Sequence, residues 1–128
     1  MLEPTKVFEV YGDKLGIHAF TAGEIIFDIG QPGELVYGII EGEVELQLHG
    51  KSVEIIGAGD LFGEGALVHP EGLRGSTALA KTDCKLTTMN RSHFLFAVQE
   101  TPMFALEVIR SYSDRLLKLK HQLAESSV

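Results

Sequence analysis

Short alternating segments separated by glycine-rich turns fill the first two thirds of the chain. Residues 43–48 alternate polar and apolar side chains, which is typical of a half-buried strand with Val44, Leu46 and Leu48 facing inward. Further strand candidates are residues 24–27, 35–40, 51–56, 77–80 and 85–89. Turns are predicted at residues 30–34, His49-Gly50 and 57–60. Many short strands at close spacing predict a sandwich, a jelly roll or a barrel.

After residue 90 the spacing of the apolar residues becomes that of an α-helix. Ser92 is suited to cap a short helix, and Thr101-Pro102 suits the start of a longer one, with threonine as N-cap and proline at the first helical position. Along the longer helix, apolar residues recur at spacings of four and three: Ala105, Ile109, Tyr112, Leu116, Leu119 and Leu123. This seam predicts a homodimer through the C-terminal helix, although such a stripe can also pack on its own domain.

The two halves predict an α+β protein made of one domain, residues 1–128, because a chain of 128 residues can bury its own core. The net charge of −7 argues against DNA binding by the chain itself. No apolar run is long enough for a bilayer, and no secretory signal is apparent, so we expect no membrane partner. The single cysteine, Cys84, is read as a core residue and favours a cytoplasmic location.

The segment best suited to bind a ligand is residues 60–67, Asp-Leu-Phe-Gly-Glu-Gly-Ala-Leu, together with Arg74-Gly75-Ser76-Thr77. If residues 63–67 form a turn and the start of a short helix, their unpaired backbone N–H groups attract anions. Arg74 can bind a phosphate through two parallel bonds, and Glu64 can accept a hydrogen bond from a sugar hydroxyl. A ribose 3′,5′-cyclic phosphate has this layout. From these residues alone, a solvated turn with a surface charge remains the alternative.

An ordered series of landmarks extends this segment over residues 20–119. They are Phe20-x-x-Gly23-Glu24-x-Ile26-Phe27, Gly30, Gly33-Glu34, Tyr37-x-Ile39-x-x-Gly42-x-Val44, Gly59-Asp60-x-Phe62-Gly63-Glu64, Arg74-x-x-Thr77, Asn90-Arg91-x-x-Phe94 and Asp114-Arg115-Leu116. With these landmarks the chain resembles the cyclic-nucleotide-binding domain family of catabolite-activator-type regulators, protein kinase A regulatory subunits and cyclic-nucleotide-gated channels. The resemblance implies an antiparallel β-roll (a jelly-roll-like double-stranded β-helix) at about residues 14–90. Short flanking helices and a longer C-terminal helix, at about 92–124, complete the expected fold.

The resemblance also assigns roles to residues. Glu64 is similar to the family glutamate that binds the ribose 2′-hydroxyl, and Arg74 to the arginine that binds the cyclic phosphate. The remaining candidate ligand-binding residues are Gly63, Gly65, Ala66, Gly75, Ser76 and Thr77 around the phosphate, Leu46 and Leu61 as apolar walls, and Arg115 near the purine. A threonine at position 75 would favour cGMP, so Gly75 favours cAMP. The implied activity is that of a ligand sensor that signals through its C-terminal helix or dimer interface, with an effector protein as a candidate partner.

Two other functions stay open on the sequence. Gly65 stands where leucine or methionine is usual, and the loop at residues 68–73 is longer than usual. Both departures suit a degenerate or other-ligand interaction domain that does not bind cyclic nucleotides. A metal-dependent β-barrel enzyme would need clustered ligands, whereas the histidines are scattered: His18, His49, His69, His93 and His121. We therefore expect no catalytic residues, no metal and no cofactor.

Overall fold

Antiparallel strands and C-terminal helices make up the computed structural model, which describes residues 16–126 of the chain. The strands are β1 His18–Phe20, β2 Ile25–Phe27, β3 Leu35–Glu41, β4 Val44–Leu48, β5 Lys51–Ile56, β6 Leu61–Phe62, β7 Thr77–Ala80 and β8 Cys84–Asn90. The helices are α1 Gly65–Val68, α2 Arg91–Glu100 and α3 Met103–Ser126. This arrangement confirms the predicted α+β class. The predicted domain limits at residues 14 and 128 lie outside the described residues.

The strands form two four-stranded antiparallel sheets, in the orders β1-β8-β3-β6 and β2-β7-β4-β5. The main core lies between them and includes Phe27, Ile39, Val44, Phe62 and Leu86, all at most 7% exposed. Tight turns allow the short strands to fold back. At the β4–β5 turn both His49 and Gly50 have positive φ, which matches a two-residue hairpin. The predicted antiparallel β-roll is therefore confirmed.

The helices cover the outer face of the first sheet. The cross-strand pair Ile39–Leu86 faces the main core, whereas the pair Val36–Met89 faces the helices. Val36 and Met89 pack there with Leu61, Ala97 and Phe104. Successive side chains of a strand point to opposite faces, which is why β3 and β8 supply both clusters. This second cluster holds α2 and α3 against the strands that lead into the segment containing Glu64.

Several local predictions need correction. Leu48, predicted to face the core, is 39% exposed, because β4 reaches the hairpin end after a bulge between Leu46 and Gln47. The cap of α2 is Asn90 and not Ser92: the Asn90 side chain accepts a hydrogen bond from the amide of His93 at 2.8 Å. The strands β1 and β6, of three and two residues, have no counterpart in the sequence prediction. Cys84 is in the core, as predicted.

No helix within residues 16–126 has the length and apolar character needed to cross a membrane.

Candidate functional site

The predicted turn and short helix form at residues 63–68. Gly63 has φ of +79°, and a Cβ there would lie 2.8 Å from Nη1 of Arg74, so both conformation and space favour glycine. Glu64 occupies the N-cap position of α1. The amides of Ala66 and Leu67 donate to the carbonyls of Gly63 and Glu64 at 3.2 and 2.9 Å. The backbone N–H groups of Glu64 and Gly65 are not donors in these two hydrogen bonds.

Arg74 points inward from the strand-like segment before β7, and only 8% of the residue is exposed. Its guanidinium carbon lies 4.1 Å from the centre of the Phe27 ring and 5.8 Å from that of Tyr37. Nη1 donates to the carbonyl of Gly63 at 3.2 Å, and Nε is buried without a partner among the described residues. Burial lowers the pKa of Arg74, an effect opposed by Tyr37 and by the charge of Glu64. The site therefore holds a desolvated cation with unused hydrogen-bonding capacity.

Glu64 interacts electrostatically with both this cation and α3. Its charge acts on Arg74 on one side and on Tyr112 of α3 on the other. The Tyr112 hydroxyl is buried, and Glu64 and Arg115 both act on it. Burial, and secondly the charge of Glu64, raises the pKa of Tyr112 well above its usual value, so the phenol stays neutral. Glu64 thus connects the arginine electrostatically to the C-terminal helix.

Arg115 anchors α3 to the β-roll. Its Nε and Nη2 donate to the two carboxylate oxygens of Glu54 at 2.8 and 2.9 Å, and Nη1 donates to the carbonyl of Leu61. Its guanidinium also lies 4.7 Å from the ring centre of Tyr112. Burial alone would lower the pKa of Arg115, but the hydrogen bonds and charge of Glu54, with Tyr112, raise it. Arg115 therefore remains charged, and Glu54 and Leu61 occupy the donors that were predicted to face a purine.

The other predicted ligand residues lie at different depths. Leu46 is in the main core and Leu61 in the second cluster, 8% and 0% exposed, so their side chains face protein. Gly65 and Ala66 form the first turn of α1 and are half-buried. Gly75 is exposed and Ser76 half-buried. The hydroxyl of Thr77 accepts a hydrogen bond from the amide of Ile29 at 3.0 Å, which ties β7 to the turn after β2.

Five further residues shape the site. Phe27, Gly33 and Tyr37 surround Arg74, whereas Glu54 and Tyr112 contact Arg115. Phe27, Gly33 and Tyr37 belong to the series of landmark residues, so the sequence did contain a signal that these three residues matter. Tyr112 appeared only in the apolar seam. The pairing of Glu54 with Arg115, 61 residues apart, had no local signal.

An open groove of about 750 Å³ lies between β5 and the central turns of α3, residues 107–122. Residues 52–56 line one side, and charged α3 residues line the other: Glu107, Arg110, Asp114, Arg115 and Lys118. No set of three or more His, Cys, Asp or Glu side chains among the described residues is arranged to hold a metal ion.

The β-roll thus carries a buried arginine with no ion pair among residues 16–126, next to a glycine turn and the carboxylate of Glu64. The chain belongs to the cyclic nucleotide-binding domain family, whose model matches residues 17–101. The resemblance that the landmark residues indicate is therefore confirmed.

Relatives of two kinds share this domain. The cAMP-dependent protein kinase regulatory subunit of Schizosaccharomyces pombe is 40% identical over 83 residues, which cover 64% of this chain and 20% of that protein. The CRP-like cAMP-activated global transcriptional regulator of Mycobacterium tuberculosis is 28% identical over 111 residues, 83% of this chain and 49% of the regulator.

Among solved structures, the catabolite activator protein of Thermus thermophilus superimposes with a TM-score of 0.74 at 26% identity. That match covers 99% of this chain and 60% of the activator. The chain thus spans half or less of the length of the two curated relatives. These relatives are regulatory proteins, and the shared part is the cyclic nucleotide-binding domain.

Proposed function

We propose that this domain binds cAMP in preference to cGMP and reports the binding through α3. The observation that carries the proposal is Arg74, which is buried with no carboxylate at ion-pair distance among residues 16–126. A buried charge without a partner is costly, so a protein that keeps one there gains when an anion arrives. The cyclic phosphate supplies one negative charge, and Glu64 lies beside Arg74 to accept a ribose hydroxyl.

The preference for cAMP rests on two points. Gly75 follows the arginine and offers no side-chain hydroxyl to a guanine. The kinase regulatory subunit and the transcriptional regulator both carry cAMP in their names. Calorimetric titration with both nucleotides tests the proposal, and we expect micromolar or tighter binding of cAMP with weaker binding of cGMP. Binding of neither nucleotide would favour the alternative of an interaction domain with another ligand.

The role of Glu64 can be tested against the ribose hydroxyl itself. We expect Glu64→Gln to weaken cAMP binding by about tenfold, since a hydrogen bond to a charged group contributes about 1.5–3 kcal/mol. The same substitution should have little effect on 2′-deoxy-cAMP, which lacks the hydroxyl. Calorimetric titration of cAMP and 2′-deoxy-cAMP into the unmodified chain and into Glu64→Gln gives the four affinities from which the coupling between Glu64 and the hydroxyl is calculated. Equal losses for cAMP and 2′-deoxy-cAMP would show that Glu64 does not contact this hydroxyl.

We also propose that two copies associate through α3. The structure divides the predicted seam: Tyr112 packs on the domain, whereas Ile109, Leu116 and Leu123 are 62, 53 and 70% exposed. These three exposed residues share a seven-residue spacing and form one stripe, which suits a parallel pair of helices. A second copy would cover it.

Sedimentation equilibrium tests this association. We expect a dimer for the unmodified chain and a monomer for Leu116→Glu, because the new charge would lie in the shared seam. Lys118→Glu, which places the same charge at an exposed position on the opposite side of the helix from this stripe, is the control and should remain dimeric. A monomeric unmodified chain at high micromolar concentration would refute the dimer while leaving nucleotide binding untouched. Signalling to an effector protein in the cytoplasm remains part of the same proposal.

A further inference from the structure

The guanidinium of Arg74 occupies a space that exists because residue 33 has no side chain. A Cβ built on Gly33 would overlap Nε, Cζ and Nη2 of Arg74. Gly33 is not among the described glycines with positive φ, so its backbone conformation is open to other residues. Close approach of the arginine is therefore the physical reason for glycine at this position.

Gly33 is also fixed relative to the backbone of Arg74. The amide of Gly33 donates to the carbonyl of Gly72 at 2.8 Å, and the amide of Arg74 donates to the carbonyl of Gln31 at 2.8 Å. The amide of Gly30 donates back to the carbonyl of Arg74 at 2.8 Å. These three bonds join the turn before β3 to the segment that carries the arginine. The space beside Gly33 is thus held in register with the side chain that fills it.

Two more contacts complete what we call the Arg74 socket, formed by Phe27, Gly33 and the carbonyl of Gly63. The Phe27 ring lies 4.1 Å from the guanidinium carbon, within cation–π range, and the Gly63 carbonyl accepts from Nη1. Neither contact neutralises the charge. The socket therefore orients a cation and excludes water from it without supplying a counter-ion.

We propose that Gly33 is a positioning residue for the phosphate-binding arginine, which holds the guanidinium in the Arg74 socket before any ligand arrives. The proposal rests on the proposed function, in which Arg74 meets the cyclic phosphate. A cation that is already oriented and desolvated loses little freedom on binding, and such preorganisation strengthens affinity. A methyl group at position 33 would expel the guanidinium from the socket.

The test combines a binding measurement with a spectroscopic one. In Gly33→Ala we expect the Nε–H proton resonance of Arg74, assigned by its loss in Arg74→Lys, to move in the ligand-free protein. We expect cAMP affinity to fall at least about tenfold. The melting temperature should change by only a few degrees, since the atoms displaced are the end of a long side chain and not backbone. Gly57→Ala is the matched control, because its Cβ would meet only the Gly42 carbonyl, at 3.9 Å.

Phe27→Leu provides a second route if Gly33→Ala does not fold. It removes the aromatic face while retaining an apolar side chain, and we expect the same resonance to move and cAMP affinity to fall several-fold. An unshifted Nε–H resonance, or wild-type affinity in Gly33→Ala, would overturn the role of Gly33. Failure of the unmodified protein to bind either nucleotide would instead overturn the proposed function, and with it the phosphate-positioning role. The two failures are therefore distinguishable.

Discussion

Replacement of Arg74 by alanine is expected to weaken cAMP binding by at least about tenfold, and by about a hundredfold if two N–H groups bond the phosphate. Each hydrogen bond to a charged group contributes about 1.5–3 kcal/mol, and about 1.4 kcal/mol corresponds to a tenfold change in affinity. Inside the socket this interaction acts in a less polar medium than water, which favours the upper figure. Calorimetric titration of the variant and the unmodified chain measures the difference directly.

The fold should survive this substitution. Alanine removes one hydrogen bond to Gly63 and the contact with Phe27, but it also removes a buried charge, so we expect the unfolding free energy to change by no more than about 1 kcal/mol. Arg91→Ala, which removes an exposed arginine at the start of α2, is the matched control and should bind cAMP normally. Wild-type affinity in Arg74→Ala would show that the phosphate is bound elsewhere.

The features that residue patterns predicted correctly without the family resemblance are local. Alternation in residues 43–48 predicted β4, two positive-φ residues at His49-Gly50 formed the predicted hairpin, and the glycines around Glu64 formed a turn and one helical turn. Each of these signals depends on neighbouring residues. The contacts that define the site instead join residues far apart in the chain: Arg74 meets Phe27 and Gly33, and Glu54 meets Arg115.

The missed features have the same origin. β6 has two residues, too few for a period to appear, and exists because β3 pairs with it at Tyr37 and Gly38. Ser92 and Asn90 are both good caps, and only the end of β8 at Asn90 decides between them. The apolar seam likewise could not show that Tyr112 turns inward beside Arg115, because a spacing of four and three contains no information about the partner surface.

Loss of the Glu54–Arg115 pair should destabilise the fold far more than removal of the Arg74 side chain. Removing one partner of a buried ion pair costs about 3–5 kcal/mol, and these side chains are only 14 and 12% exposed. We expect Glu54→Gln to lower the unfolding free energy by about 3 kcal/mol, at the lower end because some exposure remains. Denaturant unfolding monitored by circular dichroism measures this cost.

The exposed pair between Lys85 and Glu41 offers a matched control, since its side chains are 55 and 68% exposed and its charged atoms lie 3.8 Å apart. Glu41→Gln should cost about 0–1 kcal/mol. Combining Glu54→Gln with Arg115→Met should recover part of the loss, because no unpaired charge is then left beside Leu61. Equal costs for Glu54→Gln and Glu41→Gln would mean that Arg115 does not anchor α3. If Glu54→Gln lowers the unfolding free energy by the larger amount and also speeds hydrogen exchange in α3, then this ion pair is the attachment that couples the helix to the β-roll.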